Sequence, residues 1–194
     1  MCFMLVQTPD PLTLKDALPP LEDITHVFLP VNDCRSPNLA EGGSHWSLLL
    51  VSIRDGVAFH YDSLRPSNYE PARMASDKFS RLCGKPLRFV NLDDAPQQNN
   101  GSDCGMYVCL EMQFLLKRLL QGGSGEKFSM SMGQNDVDAP RGRKDMLKLI
   151  EGFRKKGQRS QSRSRSPAGF GHHHGHRHGS SVSEHKADPP RVGD

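Results

Sequence analysis

The chain has 194 residues, 36% of them hydrophobic and 24% charged, with a formal net charge of +3, enough for one domain of ordinary size. Its longest apolar candidate, Trp46 to Ile53, is broken by Ser47 and Ser52 and falls short of the roughly 18 residues that a membrane-spanning helix needs. The opening MCFMLVQTPDP lacks a basic region and soon meets a proline, so it is not read as an export signal, and the five cysteines are read as reduced thiols of the cytoplasm or nucleus.

Charge is unevenly spread. Residues 1–140 hold 12 Lys/Arg against 17 Asp/Glu, a balance of −5, whereas residues 141–194 hold 13 against 5, a balance of +8. The front is globular in composition and the back is basic and poor in apolar residues.

In chain order, DPLTLKDALPPL (10–21) spaces its leucines as a short helix between prolines. THVFLPVN (25–32) predicts a strand, with Pro30 restricting it to an edge or bulge. HWSLLLVSI (45–53) and VAFHYDSL (57–64) predict two strands of a hairpin around Asp55-Gly56. EPARMASDKFSRLCG (70–84) has Ala72, Ala75, Phe79 and Leu82 at helical spacing and Gly84 as its stop. LRFVNL (87–92) predicts another strand. A long helix from about residue 104 to 121 carries Val108, Met112, Leu115, Leu116, Leu119 and Leu120 on one stripe and ends at Gly122-Gly123. Residues 122–140 read as a loop, and 139–157 as a basic amphipathic helix with Met146, Leu147, Ile150 and Phe153 together. From residue 157 the sequence turns to RSQSRSRSP and GHHHGHRHG, a composition that predicts a disordered basic tail. The class is α+β: a domain over 1–156 and a tail over 157–194.

Cys104 stands out by position, at the seam between the Gly/Asn/Ser turn QQNNGSD and the long helix. A thiol attacks as its thiolate, and the first turn of a helix favours an anion through its unpaired N–H groups and dipole. Gly105 leaves room for a substrate backbone. On this segment alone, a small buried hydrophobe is an equal reading of Cys104. A nucleophile needs an imidazole, and only His26, His45 and His60 lie outside the tail. His45 opens one hairpin strand and Asp62 closes the next. A strict two-residue turn sets residue 45 opposite residue 66, so a bulge or stagger is needed to bring Asp62 level. His60 alternates onto the same side as Asp62 and competes with His45 for the role.

GGSHWSLLLVS, FHYDSLRPSN and APQQNNGSDCGMYV together resemble, in order and spacing, the core of the Ulp-type cysteine proteases, the sentrin/SUMO-specific protease family, and most closely its deneddylase branch. HVFLPVND and RGRKDMLKLIEGF also resemble that branch, so the resemblance covers about residues 1–156. It implies a papain-like core, a mixed sheet packed against helices, with the N-terminal part of the family domain read as missing before Met1.

By position, the resemblance implies Cys104 as nucleophile, His45 as general base and acid, Asp62 as the residue orienting His45, and Gln98, six residues before Cys104, as an oxyanion donor ahead of its neighbour Gln97. It implies Trp46 as the roof of a channel for a modifier's Gly-Gly tail, against a core aromatic as the plainer reading. Asp103 is read as shaping the turn. The implied activity is thiol-dependent removal of a ubiquitin-like modifier, the neddylation modifier or SUMO, from its conjugates, with no cofactor and no metal. Competing readings are an inactive homologue that binds such modifiers without turnover and, for the tail, RNA binding, against a solvated spacer.

Overall fold

A computed structural model describes residues 2–34, 36, 42–121, 129–133 and 135–164. Of the expected tail over 157–194, residues 165–194 with the His-rich run lie outside them, as do residues 122–128 of the expected 122–140 loop. The chain divides into two units, residues 1–151 and 152–194.

The first unit opens with a short helix, α1 (Cys2–Gln7), and a 3-10 helix over Pro11–Ala17 that Asp10 caps by accepting from the Leu12 N–H. The leucine spacing of 10–21 thus forms tighter turns than an α-helix, because prolines bound it on both sides. A four-stranded sheet follows in the order β1 (His26–Asn32), β2 (Trp46–Ser52), β3 (Val57–Tyr61) and β4 (Arg88–Asn91). The first three strands run antiparallel and β4 lies parallel to β3. A parallel pair needs a crossover, and α2 (Tyr69–Cys83) supplies it. Pro30 sits in β1, at the sheet's edge, where its missing N–H is tolerated. Gly84 closes α2 with φ of 66°, and the N–H groups of Gly84 and Lys85 turn back on Arg81 and Ser80.

Alternation divides the sheet into two packed faces. Leu29, Val31, Leu49, Val51 and Ala58 meet Ala72, Ala75, Phe79 and Leu82 of α2, with Leu5 of α1. Leu48, Leu50 and Tyr61 meet Val108 and Leu115 of α3 (Cys104–Gln121) and Met132. Each of the Val, Leu, Phe and Met side chains among them contributes about 1.5–3 kcal/mol of burial, so the sheet is a rigid floor for whatever its ends carry.

The two long helices depart from expectation. The buried face of α3 is Cys104, Tyr107, Val108, Glu111 and Leu115, while Leu116 and Leu120 are exposed. Of the expected stripe, Val108, Met112 and Leu115 do pack against the sheet, and the departure lies at Leu116 and Leu120, beyond the reach of β2. In α4 (Ala139–Ser164) the expected stripe does not pack: Leu147 and Ile150 are exposed. Only the approach and first turn, Val137 and Ala139, join a cluster with Tyr107, Met106 and Leu110. In the second unit the helix runs on through residues 157–164 rather than ending at Gly157, and Lys156 sits 5.8 Å over the Phe153 ring.

Candidate active site

The hairpin joining β2 and β3 sets the first half of the site. Its pairs run from Ser52 with Val57 to Leu48 with Tyr61, around a four-residue loop rather than two. The Ser52 hydroxyl donates to Asp55 Oδ2 at 2.6 Å and accepts from the Asp55 N–H at 3.3 Å, while Gly56 takes φ of 64°. Continuing that register places residue 45 opposite 64, and Asp62 is then its diagonal neighbour, within reach of a long or aromatic side chain. The wider loop supplies the stagger that a two-residue turn lacked.

His45 Nε2 lies 2.6 Å from Asp62 Oδ1, and both side chains are almost wholly buried. Burial pushes the Asp62 carboxyl up, but the His45 ring and the N–H groups of Asn68 and Leu64 outweigh it and hold the group below the ordinary carboxylate range. An ionised carboxylate only accepts, so Nε2 must carry the hydrogen. In the neutral ring the lone pair is then on Nδ1, which makes no hydrogen bond among the described residues. One ring nitrogen is held and the other is free to take a proton.

His60 is different. Its Nδ1 lies 2.7 Å from Asn91 Oδ1 and its Nε2 3.0 Å from Ser47 Oγ, and the fully buried ring stacks on Phe89. Burial lowers its pKa, opposed by the Asn91 side chain and Asp62. Both nitrogens are occupied, so His60 is a structural residue. His26, partly buried on β1, bonds Thr25 Oγ1 at 3.1 Å.

The His45 backbone is anchored by residues the sequence did not single out. Its N–H donates to Asp33 Oδ1 at 3.0 Å, and its carbonyl accepts from Asn32 Nδ2 at 3.2 Å and Asn68 Nδ2 at 3.3 Å. Asn68 also donates its own N–H to Asp62 Oδ2 at 3.0 Å and its Nδ2 to the Val31 carbonyl at 3.2 Å. One fully buried residue therefore holds both members of the pair. Asn68 precedes α2 at the capping position yet makes no side-chain cap; a capping residue type in that place hides its real use. Gly43 in the preceding turn has φ of 86°, and a Cβ there would stand 2.2 Å from Asn32 Oδ1, so the chain needs glycine to bring His45 in.

Cys104, 8% exposed, opens α3. The N–H groups of Met106 and Tyr107 bond the Asp103 carbonyl, whereas those of Cys104 and Gly105 have no partner among the described residues, leaving two donors beside the thiol. A Cβ on Gly105 would meet nothing within 4 Å. The Cys104 thiol is free and makes no hydrogen bond among the described residues. Two chains of bonds tie its turn to Asp62. Asp103 accepts from Asn100 at 2.7 Å, Asn100 from Gln98 Nε2 at 2.5 Å, and Gln98 Oε1 from Ser63 Oγ at 2.8 Å. Tyr107 donates to the Gln97 carbonyl at 3.1 Å, and Gln97 Nε2 to the Asp62 carbonyl at 2.8 Å. Gln98 is buried and Gln97 exposed. Trp46 is 43% exposed at the start of β2 and is not a core aromatic.

Comparisons with known proteins follow this geometry. Residues 13–150 match the family model described as the Ulp1 protease family, C-terminal catalytic domain. NEDD8-specific protease 2 of Schizosaccharomyces pombe is 38% identical over 151 residues, 77% of this chain and 36% of that protein. Sentrin-specific protease 8 of Rattus norvegicus is 38% identical over 120 residues, 59% of this chain and 54% of that one. The chain thus spans between about a third and a half of the length of these relatives. Among solved structures, the Xanthomonas campestris effector protein XopD bound to ubiquitin is 25% identical with a TM-score of 0.56, covering 76% of this chain and 74% of that one.

Proposed function

Because the chain belongs to the Ulp1 protease family, matched through its C-terminal catalytic domain over residues 13–150, we propose that it is a thiol-dependent isopeptidase that removes a ubiquitin-like modifier after its terminal Gly-Gly. The observation that carries this reading is the His45 ring, held through Nε2 by Asp62 with Nδ1 left unbonded. Cys104 is the nucleophile, and residues 1–156 form the catalytic region, with 157–194 as a basic tail.

His45 Nδ1 takes the Cys104 proton, and the thiolate attacks the carbonyl carbon of the last glycine. The negative oxygen is received by the N–H groups at the start of α3 and by Gln98, whose Nε2 must leave the Asn100 carbonyl to do so. The imidazolium then gives its proton to the departing lysine amine as the C–N bond breaks. Water, deprotonated by His45, cleaves the thioester and restores the thiol. Two glycines suit a slot beside Trp46 because they present no side chain to it. The relative named as a NEDD8-specific protease supports the neddylation modifier as substrate, with SUMO the second choice.

Propargyl-terminated NEDD8, SUMO and ubiquitin probes test this directly. The expected result is an adduct on Cys104, strongest with NEDD8 and absent in Cys104→Ala. Binding of the modifier without an adduct would replace the enzyme by a non-catalytic binding module.

A further inference from the structure

The two residues that precede Cys104 are gripped from another element. Arg143, one turn into α4, donates through Nη1 to Asp103 Oδ1 and through Nη2 to the Ser102 carbonyl at 2.8 Å. The guanidinium fork therefore spans two consecutive residues of the junction from which α3 departs. Its base is docked closely. A Cβ on Gly142 would stand 2.9 Å from Leu110 and 3.0 Å from Met106, so a larger residue here would have to push the ends of those two side chains aside. The Asp138 carboxylate caps the turn by accepting from the Arg141 N–H at 2.9 Å.

Asp103 is buried, and its backbone carbonyl receives the first two bonded N–H groups of α3. Its side chain is held by Asn100 and Arg143, which together keep it below the ordinary carboxylate range. It is thus a negative charge adjacent in sequence to the sulfur, and a carboxylate beside a thiol opposes formation of the thiolate. Arg143 supplies the opposing charge.

We propose that Arg143 is a positioning residue for Cys104, acting through Asp103: it offsets the neighbouring carboxylate and braces the loop–helix junction against α4. The inference rests on Cys104 being the nucleophile. The titratable groups around this junction are Asp103 and Arg143, His45 and Asp62 from the hairpin, Glu111 further along α3, and Asp136 ahead of α4, the last bearing on Tyr107 together with Asp103 and Glu111. Of these, Arg143 is the cation whose removal leaves the local anions in excess.

The test is the rate of alkylation of Cys104 by iodoacetamide against pH, scored by peptide mass mapping, alongside kcat and KM on a modifier conjugate and a melting curve. With Arg143→Gln, the midpoint of the alkylation curve should move up by roughly half a unit to one unit, and kcat should fall about tenfold with KM within about twofold. Arg143→Lys keeps the charge without the fork, so it should restore the midpoint and only part of kcat. The Asp103→Asn/Arg143→Gln double variant should return the midpoint to that of the parent chain. A folded Arg143→Gln protein with the parent's midpoint and kcat would overturn the proposal, as would losses that track melting temperature alone. The parent chain serves as control: if its buried Cys104 alkylates more slowly than exposed Cys109 at every pH, the nucleophile assignment itself falls, and this inference with it.

Discussion

His60 and His45 lie on partner strands of one hairpin, yet their surroundings divide them into different kinds of residue. His60 sits in β3, between β2 and β4, over the α2 face of the sheet, with Asn91 and Ser47 taking both ring nitrogens. His45 stands where β2 begins, with one nitrogen taken by Asp62 and the other unclaimed among the described residues. The middle of a sheet surrounds a side chain completely, and any polar atom there must be satisfied. The end of a strand leaves one direction open. The same imidazole is thus a fastener in one place and, in the function proposed above, a proton carrier in the other.

Substitutions can break this contrast. The largest effect is expected for His45→Ala, which should cut turnover per folded molecule by about a thousandfold or more; equal losses of activity in both alanine variants would sink the distinction. His60→Ala should instead cost about 2–4 kcal/mol of stability, from a cavity and two orphaned partners, measured by urea unfolding, with activity per folded molecule retained. Asn68→Ala should lower kcat by roughly ten- to a hundredfold, since it frees both the His45 carbonyl and the Asp62 carboxylate from one anchor; steady-state kinetics with KM unchanged would bear this out.

The smallest effect at neutral pH is expected at Glu111, seven residues after Cys104 on the buried face of α3. Burial first, and then the Asp62 charge, push its carboxyl up to about 8, and its Oε1 has no partner. A raised carboxyl keeps its proton longer in the folded chain than in the unfolded one. Folding stability therefore declines as pH rises from the unfolded value near 4.5 toward about 8. Glu111→Gln removes that slope. Because the buried amide is itself short of partners, the net gain should be about 1 kcal/mol above pH 8, with none below pH 4.5. Thermal melts across pH 4–9 that run parallel in the two proteins would contradict it.

Much of this site was legible in residues 45–64 and 97–108, because strand alternation, an Asp-Gly turn and a cysteine at a helix start are local signals. The hairpin's register was not, since Ser52 and Asp55 build a four-residue loop through side-chain bonds that turn statistics do not contain. Asn68 carries no local signal, because its side chain is placed by the distant Val31 and His45 carbonyls. Arg143 lay in a basic amphipathic run where any cation resembles a solvated one; its reach back to Ser102 and Asp103 crosses some forty residues of sequence. The leucines of α3 and α4 predicted helices correctly and their contacts poorly, because periodicity marks an apolar face and says nothing of where along the helix a neighbour begins.

Trp46 is the chain's single tryptophan, and it is 43% exposed beside His45. Its emission therefore comes from one location, the start of β2 next to His45, with no second tryptophan to add background. A tail laid across the indole would shield it from water and shift its fluorescence to the blue, so the molecule carries its own optical gauge of occupancy, readable by titration in the Cys104→Ala background without labelling either partner.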